Sequence, residues 1–304
     1  MIRRATLIVD EPGWAFHRSA AVLRAALAAR GWSVDLHFRE HEPRLSPIGP
    51  TLVYWWKDLG KLDVQSASPL ICRVADEETW RDRSGAPSAE FLRLIGRAHC
   101  IAASSRRIVD QLGPRLQIPV FWAPDCTDVG GGTDLPLDRP LSPGPVRLGW
   151  CGNPRALEWL GLRDHKGLFR LKSWLSRIAD VELSVATDLG TEELDCWFRE
   201  LDIFVCASRN EGTPLPVIEA MARGLPVLTT NVGVVPELTS PGVVRFEPSH
   251  TQFEAQLGLL LAMRSQWALL GSANRTEIAR NRSANRSADD FERTVGSFDG
   301  AGAQ

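Results

Sequence analysis

Asp202-Ile203-Phe204-Val205-Cys206-Ala207-Ser208-Arg209-Asn210-Glu211-Gly212-Thr213-Pro214-Leu215-Pro216-Val217-Ile218-Glu219-Ala220-Met221-Ala222-Arg223-Gly224-Leu225-Pro226-Val227-Leu228-Thr229 is the stretch on which the reading of the fold turns. Residues 203–206 form an unbroken apolar run, the pattern of a parallel strand buried on both faces. A short polar loop carrying Glu211 and Gly212 follows. Pro214 and Pro216 fall where a helix begins, a position that tolerates proline. Gly224 and Pro226 end that helix, and the next apolar run, 226–230, starts at once. A strand, a loop, a short helix and a second strand are the repeating unit of a parallel α/β sheet.

The same alternation extends in both directions. Upstream, residues 5–10 read as a buried strand, 18–30 as an Ala/Leu-rich helix stopped by Gly31, and 32–36 as a second strand. Segments 52–56, 70–74, 99–103 and 120–123 read as further strands, with helices at 91–97 and 105–112. The pattern fails from 125 to 145, where Gly130-Gly131-Gly132 and four prolines mark a linker. It restarts with a strand at 146–150, a helix at 167–178, a strand at 181–186 and a helix at 192–200. Beyond the deciding stretch, 253–270 reads as one long helix and 284–298 as a last one. The expected architecture is α/β: two Rossmann-like, doubly wound domains facing across a cleft. The expected divisions are 1–138, 139–283, and a terminal helix and tail at 284–304. Open parallel sheets bind ligands beyond the carboxyl ends of their strands, so the loops at those ends are where chemistry is expected.

Composition narrows the classes. The chain has 304 residues, enough for two domains of about 150 residues each. A net charge of -2 lacks the basic excess of a nucleic-acid binder. Six cysteines without a C-x-x-C pair or neighbouring histidine cluster argue against a zinc site or a disulfide framework. Reduced thiols, no signal-peptide pattern and no apolar run of membrane-spanning length give the expectation of a cytoplasmic protein. Peripheral membrane contact stays open.

The loop and helix of the deciding stretch combine three useful features. A helix amino terminus presents a positive dipole end and backbone N–H groups to an anion. Gly212 allows a phosphate to approach the backbone. Glu211 before the helix and Glu219 about one turn inside it offer acceptor oxygens to hydroxyl groups, and a carboxylate suits a vicinal diol such as a ribose.

This string resembles the E-x7-E signature of retaining GT-B glycosyltransferases, glycosyltransferase family 4 in particular. Strand, Ser208, Glu211-Gly212, Pro214, Glu219-Ala220-Met221-Ala222, Gly224-Leu225-Pro226-Val227 and then Val232-Gly233-Val234-Val235-Pro236-Glu237 follow the family's order. The resemblance implies that Glu211 contacts the donor sugar and Glu219 the nucleotide ribose. Backbone groups near Gly212 and Thr213 would hold the diphosphate. The family also carries an Arg after a strand-end Gly and a Lys before another Gly, both neutralising the leaving diphosphate. Lys166, before Gly167 at the opening of a helix, matches the Lys, the alternative being a solvated surface lysine. Gly152 matches the strand-end glycine, but Asn153 stands where the Arg is expected, with Arg155 and then Arg163 as substitutes.

The first half resembles the family more loosely. The segment Ala123-Pro124-Asp125-Cys126-Thr127-Asp128 stands where an Asn-Gly-Val-Asp turn is usual. The loop after the first strand carries Trp14, Phe16 and His17 as acceptor-side candidates. The aromatic pair would stack on a sugar or an apolar acceptor, or simply pack a rigid turn. Asp76, after another strand, is the candidate for contact with the acceptor hydroxyl. The last helix is expected to return to the first domain, as in many GT-B enzymes. His99, His165 and His17 read more readily as structural.

The resemblance implies sugar transfer from a UDP-, GDP- or other NDP-sugar to a glycan, lipid-linked or small-molecule acceptor, with retained anomeric configuration. No Asp-x-Asp motif is present, so no metal and no further cofactor is expected to be required. Two other readings remain open at this level: a catalytically inactive nucleotide-sugar-binding subunit and a GT-B sugar-nucleotide epimerase.

Overall fold

The computed structural model describes residues 3–13, 15–38, 48–62, 69–76, 79–127, 144–155, 158, 161 and 163–299. By its contacts the chain falls into two compact units, Met1–Thr127 with Arg282–Gln304, and Asp128–Asn281.

The first unit is built on six parallel strands in the order β2-β1-β3-β4-β5-β6. They are β1 (Arg3–Val9), β2 (Trp32–Phe38), β3 (Thr51–Val53), β4 (Leu70–Val74), β5 (Cys100–Ala103) and β6 (Val120–Trp122). Alternation along each strand feeds two cores. Ile8, Val53, Cys72 and Ile101 pack with α2 (Ala89–Ile95) and α3 (Arg106–Leu112). Leu7, Leu52, Ile71 and Ala102 pack on the other face with α1 (Ala15–Ala29) and α9 (Ala284–Asp299). The terminal helix α9 therefore belongs to this unit, supplying Ala288, Phe291 and Val295 to that core. A charged clamp fixes it: Arg30 reaches Asp289 at 2.7 Å and Glu292 at 2.9 Å, and the Trp32 indole donates to Glu292 at 2.8 Å.

The second unit has five parallel strands in the order β11-β10-β9-β7-β8. These are β7 (Val146–Cys151), β8 (Val181–Ala186), β9 (Ile203–Cys206), β10 (Val227–Thr230) and β11 (Val243–Phe246). One face is covered by α5 (Thr191–Arg199) and α6 (Leu215–Ala222), the other by α4 (Leu168–Leu175) and α7 (His250–Ala262), while α8 (Trp267–Asn281) contributes to both cores. Both units are thus doubly wound, as the alternation implied.

Three local expectations are corrected. The run 52–56 is strand only to Val53. Trp56–Lys61 is a 3-10 helix that buries Trp56 and bonds its indole to Thr79 at 3.1 Å, and a short apolar run does not distinguish the two. The long helix at 253–270 is broken: α7 ends at Ala262, a turn at Arg264–Gln266 follows, and the Trp267 indole folds back onto the Leu260 carbonyl at 2.8 Å. The continuation of α8 to Asn281 and the four-residue strand β11 were not expected.

Candidate functional site at the carboxyl ends of β7 and β9

In the second sheet β7 lies between β8 and β9. The connections leaving β7 and β9 depart to opposite faces, α4 to one core and α6 to the other. This is a topological switch point, the place where open α/β sheets take their ligands beyond the strand ends.

Two loops meet at it. Leaving β7, the chain reaches Asp164, which holds φ +49° and accepts from the N–H groups of Phe169 (3.0 Å) and Arg170 (3.1 Å), capping α4. Gly167 adopts φ +75° and lies so close to the end of β9 that a Cβ there would meet the Ala207 carbonyl oxygen at 2.1 Å. Only glycine lets these two loops touch. Just before it, Lys166 has its carbonyl held by the buried Trp150 indole at 3.1 Å. Leaving β9, the Arg209 N–H donates to the His165 carbonyl at 2.9 Å, tying the two loops again.

Across this junction Lys166 Nζ donates to both oxygens of Glu211, at 2.6 and 2.7 Å. The side chains are 27% and 11% exposed. Burial pulls the Lys166 ammonium down, but the charge and hydrogen bonds of Glu211 outweigh it and hold it above the ordinary lysine value. Ser208, buried at the end of β9, donates to Glu211 Oε1 at 2.7 Å. Thr230, from β10, donates to the Ser208 carbonyl at 2.7 Å.

The next turn locks this loop from above. Val234 N–H donates to the Gly212 carbonyl at 2.9 Å, and Gly233, at φ +51°, packs so that a Cβ would lie 1.9 Å from that oxygen. Thr213 carries a buried hydroxyl without a hydrogen-bond partner among the described residues. Glu219 is buried one turn into α6.

One expectation about this helix is corrected. Its first turn does not offer a row of free donors: Leu215 N–H is used by the Thr213 carbonyl and Val217 N–H by Pro214, both at 2.8 Å, and Pro216 has none. The helix contributes its dipole, while the backbone at Gly212 and Thr213 precedes that turn.

Gly152 sits at the end of β7, its N–H bonded to Ala186 at 3.1 Å. Asn153 is exposed and spends its side-chain oxygen on the Arg155 N–H at 2.9 Å, a local turn. Arg155 and Arg163 are both exposed.

The remaining candidates belong to the first unit. Asp76 accepts from Thr79 through both oxygens, from N–H at 2.7 Å and from the hydroxyl at 2.9 Å, so it holds its own loop. Phe16 packs on the core with its ring centroid 6.0 Å from Tyr54, the packing alternative for that residue. His17 accepts from Gly13 N–H at 2.8 Å and stands edge-on to Phe38; burial and then Arg18 hold its imidazole below the usual value. Trp14 lies outside the described residues. No group of three or more His, Cys, Asp or Glu side chains among the described residues is arranged to hold a metal ion.

Sequence reasoning missed Ser208, Thr230 and Trp150 as site residues. Ser208 gave a signal, a hydroxyl at a strand end three positions before a loop carboxylate. Thr230 and Trp150 gave none.

Residues 166–262, beginning at this lysine, match the family described as Glycosyl transferases group 1. The chain is 35% identical over 102 residues to the lipopolysaccharide core biosynthesis mannosyltransferase LpsB of Rhizobium meliloti, covering 34% of this chain and 26% of that protein. It is 40% identical over 86 residues to the D-inositol 3-phosphate glycosyltransferase of Streptomyces avermitilis, covering 28% of this chain and 18% of that one. The match thus spans about a quarter or less of these relatives. Over nearly the whole chain the fold is similar to sucrose-phosphate synthase from Thermosynechococcus elongatus, with TM-score 0.71, 14% identity, and 98% and 100% of the two chains covered. It is similar also to Anabaena HepE in complex with UDP and glucose, with TM-score 0.69, 12% identity, and 96% and 99% covered. The fold is GT-B, and residues 166–262 of its second unit are similar to the glycosyl transferases group 1 family.

Proposed function

We propose that this chain is a retaining glycosyltransferase that moves a sugar from a nucleoside-diphosphate sugar to an acceptor hydroxyl. The observation that carries this reading is the Lys166–Glu211 pair, held at the switch point of the second sheet by loops that touch through Gly167. In the reaction the bond from the anomeric carbon to the diphosphate breaks, a bond to the acceptor oxygen forms, and the acceptor proton leaves. Lys166, the Thr213 hydroxyl, and the backbone at Gly212 and Thr213 would stabilise the departing diphosphate electrostatically. Glu211 would accept from a sugar hydroxyl and Glu219 from the ribose. Gly152, Asn153 and Arg155 would line the far side of the diphosphate. Asp76 and His17 are the acceptor-side candidates of this proposal. A UDP-sugar is the first donor to try, because the HepE structure holds UDP and glucose. The transfer proceeds without a divalent metal, and the reduced thiols favour the cytoplasm. No helix among the described residues is long and apolar enough to cross a membrane.

The test is nucleoside diphosphate release from a panel of UDP- and GDP-sugars, with and without candidate acceptors and a chelator. Acceptor-dependent release that survives the chelator supports the proposal. Clear donor binding with no release under any pairing would favour the inactive-subunit reading.

A further inference from the structure

We propose that Ser208 is a positioning residue: it keeps the Glu211 carboxylate in its substrate-accepting orientation when Lys166 gives its charge to the donor diphosphate. This inference rests on the donor-site reading above.

Glu211 Oε1 accepts from two groups, Lys166 at 2.6 Å and Ser208 at 2.7 Å, whereas Oε2 accepts from Lys166 at 2.7 Å. The two anchors differ in kind. A lysine ammonium sits at the end of a flexible four-carbon stem and follows the strongest nearby negative charge, which a diphosphate supplies. Ser208 has no such freedom. It is 2% exposed, it follows β9 after one residue, and its carbonyl is pinned by Thr230 at 2.7 Å. Its hydroxyl also has a fixed direction, because the Cys206 thiol donates to Ser208 Oγ at 3.6 Å and Ser208 donates onward to Glu211. Burial pushes the Cys206 thiol up, which keeps it protonated and therefore a donor.

Once the ammonium turns to the diphosphate, Oε1 stays fixed by Ser208 and Oε2 is released toward the sugar hydroxyl. Without Ser208, the same event leaves the carboxylate free to rotate. Ser208 touches no substrate atom. Its influence passes through Glu211, so it bears on the sugar and not on the nucleoside diphosphate.

That distinction gives the experiment. Binding of the nucleoside diphosphate alone and of the matching nucleotide sugar is measured for the full chain and for Ser208→Ala and Ser208→Thr, together with kcat and KM for the donor. Ser208→Ala should bind the nucleoside diphosphate as the wild type does, yet lose about tenfold in nucleotide-sugar affinity or in kcat/KM. Ser208→Thr, which keeps a hydroxyl, should recover most of that loss. Equal losses for diphosphate and nucleotide sugar, or a wild-type profile in Ser208→Ala, would overturn the inference. A wild-type chain that binds neither ligand overturns the donor-site reading itself, and this inference with it.

Discussion

Replacing Lys166 with methionine removes one charge while keeping an unbranched stem of similar length. Glu211, whose side chain is 11% exposed, then keeps Ser208 as its one remaining donor among the described residues. An exposed ion pair is worth about 0–1 kcal/mol, and stranding a charge in a fully buried one costs about 3–5 kcal/mol. With the lysine 27% exposed and the glutamate less so, the pair lies between these limits, so the expected loss is about 1–3 kcal/mol. For a unit of this size each kcal/mol lowers Tm by about 2–4 °C. The double variant Lys166→Met/Glu211→Gln removes the stranded charge and should regain about half of the loss, a coupling detectable in a double-mutant cycle. Thermal melting followed by circular dichroism on the four proteins measures it. If Lys166→Met melts with the wild type, or the two substitutions add to within about 0.5 kcal/mol, the pair is not the coupled unit described here.

The other expectations follow from equally local geometry. Folding raises the Lys166 ammonium above its ordinary value, so its contribution is complete at neutral pH and is lost as the pH climbs through the raised value; wild-type and Lys166→Met melting temperatures should converge at strongly alkaline pH. Gly233→Ala puts a Cβ 1.9 Å from the Gly212 carbonyl oxygen at φ +51°, and should cost about 2–4 kcal/mol in melting experiments while weakening donor binding. Asp125→Ala strips the 2.6 Å partner from Arg73, whose side chain is 5% exposed, and should cost about 3–5 kcal/mol without changing nucleotide affinity.

The alternation of apolar runs and helix signals was enough to read the doubly wound character of both units, because parallel strands buried on both faces are continuous in sequence. The turn at Lys166-Gly167 and the loop at Glu211-Gly212 were legible through the motif they resemble, and at Gly167 the reason is physical: glycine is required where the backbones touch. The contact between Lys166 and Glu211 was not legible, since they stand 45 positions apart and meet only because β7 and β9 are neighbours. The bond from the Thr230 hydroxyl to the Ser208 carbonyl was hidden because a buried threonine looks the same whether it bonds a backbone or a carboxylate. The helix start misled in the opposite direction. Pro214 and Pro216 correctly marked it, but the sequence did not reveal that Thr213 and Pro214 absorb the first N–H groups. The break between α7 and α8 escaped because leucine-rich periodicity runs across Met263 without a glycine or proline to stop it.

The central claim is that the loop and helix carrying Glu211 and Glu219, together with Lys166, bind a nucleoside-diphosphate sugar. Equilibrium titration of the full chain, Lys166→Met and Glu219→Ala with a panel of nucleotide sugars tests it most directly. The wild type should bind at least one donor saturably, and each variant should lose about tenfold or more, roughly 1.4 kcal/mol. Donor binding of wild-type strength in both folded variants would contradict it.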